Sequence, residues 1–312
     1  MWNTIHGAAD PLAWVAIVAF LLAIVLDVGG WRRHAVPVAT GAWVTFSAFW
    51  FAMFPYYYLD FQSPLYTIGS LVAVPLCLIV AYHLATGRES LLLLSRAVGL
   101  MGLVYLPFML YEPFERYLIE VVTVQSHYGM AFAGYEVSII EGSNGYDSKF
   151  DFEPYTGSTY STYIVLACTG IGSMAIFTGL IAATSASIRR KVLAIFLTVS
   201  IIWFLNIIRN VFVGLAAPLG WFDYPILHSL TALLAGEGMR TSFFISHHLI
   251  AQTGAVIALV GIALLVIKLV PEVLAVLEEA LFVITGSEVD LLSALDAPSV
   301  RTDGGPDSTL DR

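Results

Sequence analysis

Cys168 stands in TYIVLACTGIGSMAIF, Arg209 in IIWFLNIIRNVFVGLAAP, and the pair His247–His248 in FFISHHLIAQTG. Each residue type can take one part in acyl transfer. A thiol with a free pKa of about 8.5 is a weak nucleophile until a nearby cation favours the thiolate. A guanidinium stays charged at any accessible pH and offers five donors to a developing oxyanion. An imidazole carries the proton that the leaving group needs. Cys168 is therefore a candidate nucleophile, Arg209 a candidate oxyanion or thiolate stabiliser, and His248 a candidate proton carrier or second cation.

An ionisable side chain within hydrocarbon costs a few kcal/mol, so each one calls for a partner. Arg209 falls about 12–15 Å from the nearer end of its apolar run, at 1.5 Å per residue. It must face an acceptor or a watery cavity. Asn206, at i−3, shares its face and is positioned to orient it. Gln252 lies at i+4 from His248. Neighbours on an α-helix point about 100° apart, so at most one of the two histidines is expected to face a given site. His247, Asn206 and Gln252 are supporting residues on this reading. Ala167, Gly170, Gly172 and Ser173 surround the thiol with small side chains that let another backbone approach. Taken singly, each candidate has an ordinary explanation: a buried cysteine is a small hydrophobe, and an interfacial histidine is solvated. Asp27, His83 and Arg96 lie within about two turns of a helix end, where snorkelling to water is cheap. Cys77 reads as plain packing.

The elements that must position these groups are apolar runs. A helix needs about 20 mostly apolar residues to cross about 30 Å of hydrocarbon. About seven runs qualify: 12–28, 36–55, 64–85, 91–111, 160–183, 191–217 and 246–270. The first lacks a basic n-region and a small-x-small cleavage site, so it is expected to stay as a helix rather than be removed as a signal peptide. Arg32, Arg33, Arg88, Arg189, Arg190, Lys191 and Lys268 follow alternate helix ends. The positive-inside rule makes that side the cytoplasm, with the N-terminus outside and the C-terminus inside. Cys168, Arg209 and His248 then converge near the outer face on three successive helices. Residues 112–159 form an outer loop, opening with the amphipathic PFERYLIEVVTVQ and continuing around EGSNGYD as a candidate hairpin. Residues 218–245 form a lid-like outer loop holding Trp221, Phe222, Tyr224, Phe243 and Phe244. Residues 1–271 read as the transmembrane domain and 272–312 as an acidic cytoplasmic tail. That tail starts as a semi-apolar helix and ends in APSVRTDGGPDSTLDR, which is too polar to pack a core.

Composition agrees. Of 312 residues, 58% are hydrophobic and 12% charged, with a mean hydropathy of +0.82. Soluble domains average about 45–50% apolar and about 25% charged. A soluble enzyme, a nucleic-acid binder and a disordered scaffold are all disfavoured. The net charge is −9. Two isolated cysteines build neither a disulfide framework nor a zinc cluster, and neither a metal nor a cofactor is expected. The fold class is thus an all-α polytopic membrane protein with a folded outer loop.

ACTG with Cys168, NIIRN with Arg209 and HHLIAQ with His248, in that order on successive helices, resemble the signature of the exosortase/archaeosortase family. The resemblance covers about residues 12–270 and is strongest to haloarchaeal members. It implies a membrane-embedded cysteine transpeptidase acting on secreted surface proteins. Their C-terminal signal has three parts: a short motif of Pro-Gly-Phe type, a hydrophobic helix and a basic cluster. It further implies transfer of the new C-terminus to a membrane lipid. By the same resemblance Cys168 matches the nucleophile, Arg209 the family arginine, and His248 a position held by His or Arg. An Arg there cannot act as a base, so a cationic role for His248 stays open beside proton transfer. Two other classes remain: a transporter using Arg209 for an anion and His247 or His248 for protons, and a non-catalytic receptor for lipidated surface proteins. No matching halves of the transporter kind are present. Alkylation of Cys168 separates the enzyme from both.

Overall fold

The computed structural model describes residues 7–60, 64–235, 238–291 and 293. The polar string from 297 onward lies outside them. Among the described residues, six helices are long and apolar enough to cross a membrane: Ala9–Val28, Arg32–Leu59, Tyr66–Ala85, Glu89–Leu110, Ile188–Ala216 and Thr241–Leu269. The seventh run, 160–183, is helical only over Ile171–Ala183. The stretch STYSTYIV before it is β-branched, aromatic and rich in hydroxyls, which disfavours helix, and Val165 is extended.

The chain gathers into two compact units, Met1–Arg96 with Pro271–Arg312, and Ala97–Val270. In the first, α1 (Ala9–Val28) packs on α2 (Arg32–Pro55), and α2 on α3 (Pro64–Ala85). Small buried residues, Ala9, Ala13, Ala16 and Ala23 on α1 and Ala35, Ala39 and Ala42 on α2, bring the backbones close. Phe20 and Trp43 meet edge to face at 5.2 Å, and the Trp43 indole donates to Ser95 Oγ at 2.8 Å. Asp27 does not rely on water: its carboxylate accepts from Arg96 at 2.7 Å and from Arg32 at 3.0 Å. The segment after Pro271 folds within this unit as a helix over Val273–Thr285, burying Val273, Leu274, Val276 and Val283. Arg88 ties it down through Glu279 and Glu288, with its guanidinium 3.5 Å from the centre of the Phe282 ring.

The second unit holds the candidate residues. Past α4 (Leu92–Leu110), the amphipathic stretch is α5 (Glu112–Phe132). Next comes the hairpin read around EGSNGYD, with β1 (Ser138–Glu141) antiparallel to β2 (Asp147–Asp151). Ile139 faces Phe150 and Ile140 faces Lys149, with a bulge at Ile140/Glu141. The returning chain adds an edge to this hairpin: Phe150 N donates to Thr162 O, and Ile164 N to Ser148 O at 2.9 Å. A core of Leu118, Ile119, Val122, Met130, Phe150, Phe152, Ile164, Ile171 and Leu215 lies beneath. Fully burying a side chain of this kind contributes about 1.5–3 kcal/mol, which anchors the segment leading to Cys168. After α6 (Ile171–Ala183) come α7 (Ile188–Ala216), α8 (Pro225–Ala235) and α9 (Gln252–Leu269). Close crossings fix the packing, since a Cβ on Gly179 would lie 2.7 Å from Ala97 O.

Candidate active site

Cys168 is not inside a helix. It ends a 3₁₀ turn, Leu166–Cys168, and α6 starts only at Ile171. Two residues cause the break. The Thr169 hydroxyl donates to Leu166 O at 2.7 Å, taking a carbonyl that a continuing helix would use. Gly170 adopts φ +79, a left-handed conformation open to glycine. Hydropathy reads straight through both. The free thiol is half-buried.

Two amides on α7 hold the Cys168 backbone. Asn206 Nδ2 donates to Cys168 O at 2.7 Å and Asn210 Nδ2 to the same oxygen at 2.8 Å. Their i, i+4 spacing puts both on one face. Asn206 therefore serves the cysteine, not Arg209 as its i−3 spacing suggested. Asn210, only 4% exposed, faces two ways, because its Oδ1 accepts from Arg209 Nη1 at 3.4 Å. Since a guanidinium only donates and a carbonyl only accepts, these contacts orient the amide without ambiguity. The sequence reading passed over Asn210, although its spacing from Asn206 carried the signal.

The main partner of Arg209 is His247, with Nη2 donating to the ring Nε2 at 3.1 Å. His247 and His248 lie on a π-helical turn, Phe244–Ala251. That turn is wider than an α-turn, so adjacent side chains diverge less than 100°. Both rings consequently share one neighbourhood, with centroids 4.7 Å apart at 75°. His247 stacks on Phe243 at 4.9 Å and 13°, and His248 meets that ring edge-on at 5.6 Å. His248 thus connects to Arg209 by way of His247. Gln252 opens α9 and is exposed.

The segment at 218–245 braces the π turn from the N-terminal side. Ser246 Oγ donates to Ser242 O at 2.6 Å, and Ser242 Oγ to Asp223 Oδ1 at 2.8 Å. Arg240 places its guanidinium 3.8 Å from the centre of the Tyr160 ring. Trp221 and Phe222 pack on Phe212 of α7. Nothing in a lone Asp223 or Ser242 distinguished them in the sequence.

The site thus joins the backbone of a free cysteine, a buried asparagine, an arginine and two touching imidazoles on three elements of one unit. A profile described as transmembrane exosortase matches residues 2–223, which include Cys168 and Arg209. The chain is 39% identical over 311 residues to archaeosortase A of Natronomonas pharaonis, covering 95% of this chain and 94% of that one. To archaeosortase A of Haloferax volcanii it is 37% identical over 298 residues, covering 92% and 97%. No solved structure matches. With six long apolar helices and a family profile spanning most of its length, the chain is a multi-pass membrane protein of the transmembrane exosortase family.

Proposed function

We propose that the chain is a membrane-embedded cysteine transpeptidase that cuts a C-terminal sorting signal, of Pro-Gly-Phe type, from secreted surface proteins and passes the new C-terminus to a membrane lipid. The observation that carries this reading is the pair of hydrogen bonds that Asn206 and Asn210, on the face of α7 next to Arg209, donate to the Cys168 carbonyl. A thiol placed only for packing has no need of two side-chain amides, one of them buried, on its backbone.

The Cys168 thiol gives its proton to His248, and the thiolate attacks the scissile carbonyl carbon. A C–S bond forms, and the carbonyl π electrons move to oxygen, where Arg209 stabilises the charge. As the tetrahedral species collapses, the C–N bond breaks and His248 protonates the leaving amine. A nucleophile on a lipid headgroup, or water, then attacks the thioester and releases the thiolate. His247 and Asn206 position the reacting groups, and Gln252 lies on the same stretch as His248.

The topology that suits this chemistry has seven crossings, counting α6, with the N-terminus outside. Arg189, Arg190 and Lys191 support a cytoplasmic start for α7 by the positive-inside rule. The opposite end of α7, with Arg209, is then near the outer face, where a secreted protein's tail arrives.

Intact-mass analysis of a candidate surface protein's C-terminus, from cells carrying Cys168→Ala or Arg209→Ala, tests the reading. Both variants insert in the membrane and leave the substrate uncut; removing an oxyanion donor alone costs about 100-fold or more. Wild-type processing by Cys168→Ala sinks the assignment.

A further inference from the structure

Arg209 is held without being neutralised. Its two contacts are His247 Nε2 at 3.1 Å and Asn210 Oδ1 at 3.4 Å. Arg32, Arg88, Arg96 and Arg116 each meet a carboxylate, whereas no ion pair among the described residues engages Arg209. A guanidinium can only donate, so His247 Nε2 carries no proton. The imidazole is neutral, with its hydrogen on Nδ1. That Nδ1 is buried and finds no acceptor among the described residues. The cost of an orphaned buried donor is about 1–3 kcal/mol, which marks the arrangement as one that packing alone does not favour. Phe243, stacked on the ring at 4.9 Å, holds it in plane.

A carboxylate would hold a buried guanidinium more tightly than either acceptor, since charge-assisted pairs are roughly twice as strong as neutral ones. It would also cancel the positive charge that an oxyanion or thiolate requires. We infer that His247 and Asn210 form a neutral clamp on Arg209: two uncharged acceptors that fix the guanidinium while leaving its charge, and its other N–H groups, for an anion formed at the reacting centre. Both are positioning residues that act through Arg209. Asn210 has a second duty, because its amide also holds the Cys168 carbonyl at 2.8 Å. One side chain thereby sets the guanidinium and the nucleophile's backbone together. The inference rests on the transpeptidase reading above.

Substitutions that keep the acceptor but change its charge test the clamp. His247→Gln and His247→Glu are compared in membranes by two readouts, each scaled to enzyme abundance and thermal midpoint. The first is the rate of cleavage of a protein bearing the sorting signal. The second is the rate of Cys168 alkylation by iodoacetamide across a pH series. His247→Gln keeps cleavage within about tenfold of wild type, whereas His247→Glu loses about 100-fold or more, the scale of a missing oxyanion donor. The alkylation midpoint moves to higher pH for His247→Glu and stays in place for His247→Gln. Asn210→Asp repeats the comparison from the other side, with Asn206→Asp controlling for the donor lost to the Cys168 carbonyl. The midpoint moves further for Asn210→Asp than for Asn206→Asp. The clamp is overturned if Glu and Gln at 247 behave alike in both readouts, whether both are active or both dead. Failure of the underlying reading looks different, since Cys168→Ala would then cleave the substrate.

Discussion

Gly170→Ala isolates how Cys168 is placed. Gly170 has φ +79, and a Cβ built there lies 3.2 Å from Asn206 Cγ, 3.4 Å from Asn206 Cβ and 3.4 Å from Met174 Cε. A left-handed conformation costs a non-glycine residue about 1–2 kcal/mol. Met174 Cε is the end of a flexible chain and moves aside cheaply. Asn206 does not, because its amide is pinned at 2.7 Å to Cys168 O. Shifting it by a few tenths of an ångström weakens a bond whose net worth is about 0.5–1.5 kcal/mol. Together these come to about 2–3 kcal/mol, and if the site geometry absorbs the strain, cleavage falls roughly 30- to 150-fold at 1.36 kcal/mol per decade. Gly172→Ala is the matched control, since nothing lies within 4 Å of its Cβ and alanine favours helix by about 1 kcal/mol. The assay is cleavage of a sorting-signal substrate in membrane vesicles, per unit of inserted enzyme. Removing the Asn206 side chain relieves the clash, so the double change Gly170→Ala with Asn206→Ala loses less than the two single losses combined. If Gly170→Ala cleaves as fast as Gly172→Ala, the contact between this loop and α7 is wrong and the account of Cys168 positioning fails with it.

Other perturbations reach other parts of the unit. Gly179→Ala drives a Cβ to 2.7 Å from Ala97 O and 2.8 Å from Met101 N. Backbone cannot yield there, and a cost at or above the usual 1–3 kcal/mol of overpacking should appear as a lower thermal midpoint in detergent. Gly129→Ala instead meets the Val211 side chain at 2.5 Å, and adding Val211→Ala should restore most of the lost midpoint. Trp203→Phe breaks the 2.7 Å bond to Gln125 Oε1 and should destabilise by about 1 kcal/mol, seen in the same melt. Burial, and then the Glu112 carboxylate, push the Glu115 carboxyl above its ordinary pKa. A raised folded pKa in an acid costs stability at pH values above it and nothing below the unfolded value of about 4.3. Glu115→Gln should therefore raise the midpoint at pH 7, with the gain closing as pH drops toward 4.

The candidate residues were legible because bilayers make polarity expensive. Arg209 drew notice as a charge deep in an apolar run, and Cys168 and His248 followed from convergent depth. Six of the seven apolar runs form long helices for the same reason. What hydropathy could not show was local. A window average passes over Thr169 and Gly170, which hold the start of the helix back to Ile171, past Cys168. The rule of 100° per residue separated His247 from His248, and the π turn brings their rings together. Asn206 was paired with Arg209 by spacing alone, yet the Cys168 carbonyl, 38 residues earlier in the chain, takes its amide at 2.7 Å. Asn210 stood unnoticed beside the arginine because a neutral amide in a helix costs too little to stand out. Tertiary acceptors decide such bonds, and no periodicity encodes them.

The shortness of α6 has one more consequence. Its 13 residues rise about 20 Å, against about 30 Å of hydrocarbon. On the proposed seven-crossing topology, the remaining third of that crossing falls to the non-helical approach to Cys168. Lipid tails cannot satisfy bare peptide groups, so such a stretch survives at depth only when walled in by protein. Here the hairpin edge supplies one wall and the paired asparagines another. If the proposed transpeptidase reading holds, a cut-out of this kind would give an arriving peptide something no unbroken helix offers: a place within the membrane's thickness for its own unpaired amides before any bond is broken.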